Sequence, residues 1–344
     1  MGAIGATVLT LADWAKRIDP NGNTPGIVEI LSQTNRMLPD MLWKEGNLPT
    51  GERTIIRTGL PSVYFRLLNQ GVPNSKSTTA QVDETCAILE ARSQIDSRIV
   101  ELNGNSAAFR LSEAQAFLEA MNQKSATGLL YGSASNPEEI VGLSNRYNAL
   151  TGAANSQNVI SAGSVSGSDA TSVWLIGWGA NTVHGIFPKG SKAGLVHEDL
   201  GIGDAFDSSY NRFRAYMDRF VWDIGLVVKD WRYAVRICNI DTSVCVGDPT
   251  GATINLINLM VKALHRLPSY AGGMVGNDAE SSFVGVKPVF YCNRTVREML
   301  DIQALNKSNL LLTVGNEEGN PKTYLRGVPV ELMDAIIGTE ATVS

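Results

Sequence analysis

His184, His197 and His265 are the three histidines of the chain, and any metal or acid–base chemistry would start from them. His197-Glu198-Asp199 opens like the His-Glu-x-x-His zinc pair but supplies no second histidine. His265 lies near the end of a helical pattern, where a favourable contact with the helix dipole explains it. No ligand cluster of recognisable spacing is present. Phosphate chemistry fares no better. "GIFPKGSK" (Gly185–Lys192) approaches a phosphate loop, yet its order is Gly190-Ser191-Lys192 where the motif needs Gly-Lys-Ser/Thr. It reads as a surface turn. "GIGDAF" (Gly201–Phe206) lacks the third glycine of a dinucleotide loop. "GSVSG" (Gly163–Gly167) carries Val165 where a nucleophile elbow carries serine. The pairs Glu317-Glu318 and Asp83-Glu84 have no apolar flank that would shift a pKa, and both read as solvated charges. No residue is therefore assigned a catalytic, cofactor-binding or metal-binding role.

A chain of 344 residues with 44% hydrophobic residues suits one large or two medium globular domains. Its charged fraction, 18%, is low and its 33 glycines are many, which hints at a surface that meets other chains. A net charge of −5 argues against a dedicated nucleic-acid binder. Cys86, Cys238, Cys245 and Cys292 form no CxxC and are expected as free thiols. Neither a secretory signal nor a membrane span is read.

The elements that would position any site come next. Residues 10–19 and 26–35 read as two short helices with too few apolar residues for a separate core. Residues 43–82 hold "RTIIRTGLPSVYFRLLNQGVPNSKSTT" (Arg53–Thr79), in which Val63, Phe65 and Leu67 alternate with Ser62, Tyr64 and Arg66, the period of a half-buried strand. A long returning strand, "TTAQVDETCAILEARSQID", follows. Such a ribbon is unstable alone in water and needs a surface to lie on. Ser112 and Gln115 make a capping box for a long helix that carries Ala114, Phe117, Ala120 and Met121 at helical spacing. Residues 133–172 are a Ser/Gly/Asn-rich connection. The middle third is β-rich, with "RFVWDIGLVVKDWRYAVRICNID" a strand pair bent near Asp230 and Trp174, Trp178, Trp222 and Trp231 as core or interface anchors. From Asp248 the pattern is α/β. Ile257, Met260, Val261 and Leu264 share a helix face, and Asn293 caps a second helix with Val296, Met299 and Leu300 as its stripe. Charge is uneven as well. Lys44, Arg53, Arg57, Arg66 and Lys76 make residues 44–80 net basic, whereas residues 81–131 are net acidic, a pattern suited to docking between copies.

Taken in order, "EILSQTNRMLPDMLWKEGN", "RTGLPSVYFRLLNQGV", "SEAQAFLEAMNQKSATGLLYG", "GIFPKGSKAGL", "WRYAVRICNID" and "RGVPVELMDAI" resemble the major capsid proteins of tailed bacteriophages, in particular podovirus-type coat proteins. The resemblance implies an α+β, Hong Kong 97-like fold. It places an N-terminal arm at 1–42, an extended β-hairpin loop at 43–82, and a peripheral domain at 83–240 with a spine helix at about 107–131. An α/β axial domain with the C-terminal strands takes 241–344. The β-rich middle precedes the α/β part, a departure that implies a rearranged strand order in which residues 172–240 complete the peripheral domain early.

By the same resemblance the chain is a structural protein of the virion. It would self-assemble as pentamers and hexamers into an icosahedral head around double-stranded DNA, held without sequence specificity. Scaffolding, portal and cement proteins would be its partners, and the bacterial host cytoplasm its place of assembly. Arg53, Arg57, Tyr64, Phe65, Arg66 and Lys76 are the expected inter-subunit contacts. Two other readings compete: an encapsulin-like nanocompartment shell with a protein cargo, and a cytosolic α/β enzyme that uses the ribbon as a lid.

Overall fold

The computed structural model describes residues 31–101, 106–163, 165, 167–206, 210–268, 286–305, 312–317 and 320–344. Its helices are α1 (Met37–Asp40), α2 (Ser97–Glu101), α3 (Ser106–Tyr131), α4 (Leu143–Arg146), α5 (Thr242–Gly247), α6 (Leu256–Leu264) and α7 (Arg294–Leu305). The strands of the first half are β1 (Trp43–Glu45), β2 (Gly51–Gly59), β3 (Thr78–Thr85), β4 (Ala87–Asp96), β5 (Val159–Ser161), β6 (Ala170–Trp178) and β7 (Val183–Phe187). Those of the second are β8 (Val196–Phe206), β9 (Arg212–Val228), β10 (Ala234–Asp241), β11 (Lys287–Cys292), β12 (Leu312–Glu317), β13 (Asn320–Leu325) and β14 (Val328–Leu332). Among the described residues twelve strands share one sheet, while β2 and β3 form a separate two-stranded hairpin.

The centre of the sheet follows from strands apolar on both faces. Every residue of β6, "ATSVWLIGW", is buried, as expected of a strand covered on both sides. Its alternation feeds two cores. Val173 and Leu175 meet α6 and α7; Trp174, Ile176 and Trp178 meet the end of α3 on the other face. β10 and β11 flank β6 and divide the same way, with Val235, Ile237 and Phe290 on the first face and Cys238, Val289 and Tyr291 on the second. The two covering helices start where their caps lie. Asn255 accepts from Asn258 N–H at 3.0 Å, and Asn293 accepts from Val296 N–H at 2.9 Å.

The outer part of the sheet carries the long helix. β9 pairs antiparallel with β4 along one edge and with β7 and β8 along the other. α3 lies on β4 and β9, with Phe117 stacked on Phe220 and Phe109 packed beside Ile95 and Val100.

Several expectations need correction. Ser112 does not begin the helix. Ala107, Ala108 and Phe109 precede it as helical residues, and its Oγ instead donates to Phe109 O at 2.9 Å, a back-bond inside the helix. β9 and β10 follow one another in sequence but are not hydrogen-bonded to each other. β6 and β10 sit in the same sheet as β11 and β14, so hydrogen-bonded neighbours lie on both sides of the divide expected at 240/241. Residues 31–35, the described end of the helix expected over 26–35, are not helical. Residues 31–42 belong to the body, since Met37, Leu38 and Met41 are buried in its core. The helix expected over 10–19 lies outside the described residues, and the side chains of Glu317 and Glu318 do too.

Candidate docking loop and its anchor

β2 and β3 pair antiparallel from Gly51↔Thr85 to Arg57↔Thr79 and, after a shift of register, end at Gly59↔Thr78. One face of the hairpin meets the body only at its foot, and there it buries two carboxylates. Glu52 and Glu84 stand directly opposite each other. Like charges in that position repel, so each needs its own cation. Glu52 accepts from Lys229 Nζ at 2.7 Å and from His184 Nε2 at 2.9 Å. Glu84 accepts both forks of Arg146, the second at 2.7 Å, and Arg146 Nε also donates to Val141 O at 3.1 Å. The cations come from the end of β9 and from α4, and the histidine comes from β7. The foot is thus bound to three elements at once.

Burial works against the Glu52 carboxylate, but the hydrogen bonds from Lys229 and His184 outweigh it and hold its pKa below the usual value. The fully buried His184 ring is pushed the other way. Desolvation lowers its pKa despite the Glu52 carboxylate, so the ring is neutral and donates through Nε2, and among the described residues its Nδ1 has no partner. Backbone closeness seals the foot. A Cβ on Gly51 would stand 1.9 Å from Glu84 O, which leaves room for glycine alone. Asn47 then clips the outer side, accepting from Arg53 N–H at 2.8 Å and donating to Arg53 O at 2.8 Å.

Beyond the foot the hairpin parts from the body around a cavity of about 580 Å³ between Thr54–Arg57 and Lys229–Arg232. At Gly59 the pairing stops. Residues 60–77 form no strand, which corrects the extended ribbon expected there. The alternation of Val63, Phe65 and Leu67 has no facing strand to pair with, so it buries nothing. Val63 is 88% exposed, Leu68 91% and Phe65 fully, and Leu60, Tyr64, Leu67 and Val72 are exposed beside them. Few contacts organise the loop, among them Ser75 Oγ to Ser62 O at 2.8 Å and Gln70 N–H to Leu67 O at 3.2 Å.

The six expected contact residues therefore divide. Arg53 is already engaged by Asp83 in a bidentate pair at 2.7 and 2.8 Å, and that hydrogen bonding holds the Asp83 carboxyl below its usual pKa. Tyr64, Phe65 and Lys76 are exposed on the loop, Arg57 is exposed at the outer end of β2, and Arg66 reaches only Gln70 O at 3.5 Å. The acidic stretch 81–131 is also partly satisfied within the chain. Glu90 takes Arg219 and Arg92, whose hydrogen bonds bring its pKa down to about 2. Asp83-Glu84 is corrected from a solvated pair to one exposed and one buried ion pair. The sequence pattern could not show this anchor, because Glu52 and His184 are 132 positions apart and Glu84 and Arg146 are 62 apart. The signal was a histidine inside the apolar run "VHGIF".

Among the described residues no group of three or more His, Cys, Asp or Glu is placed to hold a metal ion, and no helix is long and apolar enough to cross a membrane. The arrangement offers a displayed apolar surface. A family model described as major capsid protein GP7 matches residues 19–344. Over 100% of its length the chain is 32% identical to a chain in the cryo-EM-derived structure of bacteriophage Epsilon15, of which it covers 99%, with a TM-score of 0.77. The chain of the bacteriophage JBD30 capsid shares the fold at 7% identity and a TM-score of 0.50, over 92% of this chain and 99% of that one. No curated protein sequence matches.

Proposed function

Because the chain belongs to the major capsid protein GP7 family, and is thus a bacteriophage shell protein found in the virion, we propose that loop 60–77 is the part that joins one copy to the next. In this reading pentamers and hexamers form in the host bacterial cytoplasm and close into an icosahedral head around double-stranded DNA. Scaffolding and portal proteins assist, and a cement protein adds to the outside. The observation that carries the docking role is the row of exposed apolar side chains from Leu60 to Val72 on a hairpin whose foot is rigidly bound. A monomer rarely leaves such a patch uncovered. The described residues give the loop no surface of its own, and a second copy would supply one. Arg57, Arg66 and Lys76 then steer the encounter, and the aromatic and aliphatic side chains hold it.

The test is the double variant Phe65→Ser/Leu68→Ser. Both side chains are exposed, so the subunit should fold with an unchanged melting temperature while shell yield in negative-stain micrographs collapses. Normal shells from the variant would remove the loop from the assembly mechanism. Nuclease-protected DNA in wild-type particles separates a phage head from a nanocompartment, which would hold protein cargo instead.

A further inference from the structure

In an acidic chain with a net charge of −5, a cluster of cations that outnumbers its carboxylate partners is informative. Residues 249–268 contain no Asp or Glu. α6 buries Ile257, Met260 and Leu264 and turns Lys262 to solvent, and His265 and Arg266 at its end are exposed as well. Arg266 follows two residues after the last residue of α6, four positions beyond Lys262. Beside them opens a cavity of about 600 Å³ lined by Arg232, His265, Arg266 and the polar Ser156, Gln157 and Asn158. Arg326, from the turn between β13 and β14, brings Nη1 to 3.5 Å from His265 Nε2. Among the described residues Lys262, Arg266 and Arg326 form no ion pair, and Arg232 has Asp230 alone. The α6 dipole accounts for cations at the end of that helix. It does not account for Arg232 and Arg326, which arrive from segments distant in sequence.

We propose that this patch, Arg232, Lys262, Arg266 and Arg326 around the cavity, binds the phosphate backbone of double-stranded DNA. The proposal rests on the reading of the chain as a shell around DNA and names the surface that touches it. Cations beside an open cavity suit phosphate oxygens, which carry no sequence information.

The experiment measures fluorescence anisotropy of labelled duplexes of about 30 bp, in two unrelated sequences, with the full-length unassembled chain from roughly 50 to 200 mM salt. Both sequences should bind alike, with a log–log salt slope of about −3.6 for four phosphate contacts. Lys262→Gln/Arg266→Gln should bind at least about tenfold more weakly, with a slope shallower by about 2. Its melting temperature should match wild type, and Lys189→Gln, remote from the patch, should bind as wild type does. Equal affinity in the double variant overturns the patch while leaving the DNA-filled head intact. Binding of polyglutamate but of neither duplex overturns it in favour of an acidic protein partner. Wild-type particles without nuclease-protected DNA overturn the underlying reading itself.

Discussion

At the scale of single residues, the account turns on two glutamates that face each other across a hairpin and are each held by a cation from the body. Removing one member of such a pair strands a buried charge, at a cost of about 3 kcal/mol. Arg146→Ala should therefore lower the melting temperature of the subunit and open the hairpin foot to protease, whereas Arg53→Ala, which breaks the exposed Asp83 pair, should leave both nearly unchanged. The foot also predicts a direction with pH. Folding holds the His184 pKa below its usual 6.5, so the unfolded chain binds a proton first as pH falls. That contribution to stability is full above about 6.5 and drains away below it as pH falls toward the folded pKa. Glu52, also depressed, adds a second loss in the same direction below its usual 4.5. His184→Gln should flatten the first loss and keep the second, read as melting temperature against pH.

At the scale of elements, the hairpin and loop have different demands. The foot is a matter of backbone contact. Gly51→Ala would drive a methyl into Glu84 O, and about 1–3 kcal/mol of destabilisation is expected from such overpacking. The loop tip touches little, so deletion of Gly71–Ser77 should leave the melting temperature unchanged and still impair assembly; undiminished shell yield would argue against a docking role for the tip. Legibility differs in the same way. α6 and α7 could be read from the sequence because their stripes and the Asn293 cap are local, and β6 because its apolar run is unbroken. The stretch Ser62–Leu67 misled, because alternation marks a strand only when a partner strand and a covering surface exist, and among the described residues neither does. The β6–β10–β11 adjacency was hidden for a related reason. Sheet order is set by long-range pairing, and β6 meets β11 across more than a hundred residues of sequence.

At the scale of the whole molecule, the subunit is a sheet body with a displayed loop. The sheet is sealed on both faces of its centre, the C-terminal residues are tied in by Glu340 on Arg236 at 2.8 Å and by Val343 on Asn239 at 2.8 Å, and the loop stands off with its apolar side chains uncovered. Association through it should combine apolar burial with steering by charge. Arg57→Glu/Arg66→Glu is expected to slow assembly most at low salt, with the difference from wild type shrinking as ionic strength rises. Indifference to both the reversal and salt would confine the basic side chains to solubility.

The central claim, that loop 60–77 is completed by a second copy, is tested most directly by a cryo-EM reconstruction of shells assembled from the wild-type chain. The account predicts Phe65 and Leu68 buried against a neighbouring subunit, with Glu52 and Glu84 still bound to Lys229 and Arg146 at the foot. A closed shell in which those two side chains remain in solvent on every subunit would contradict it.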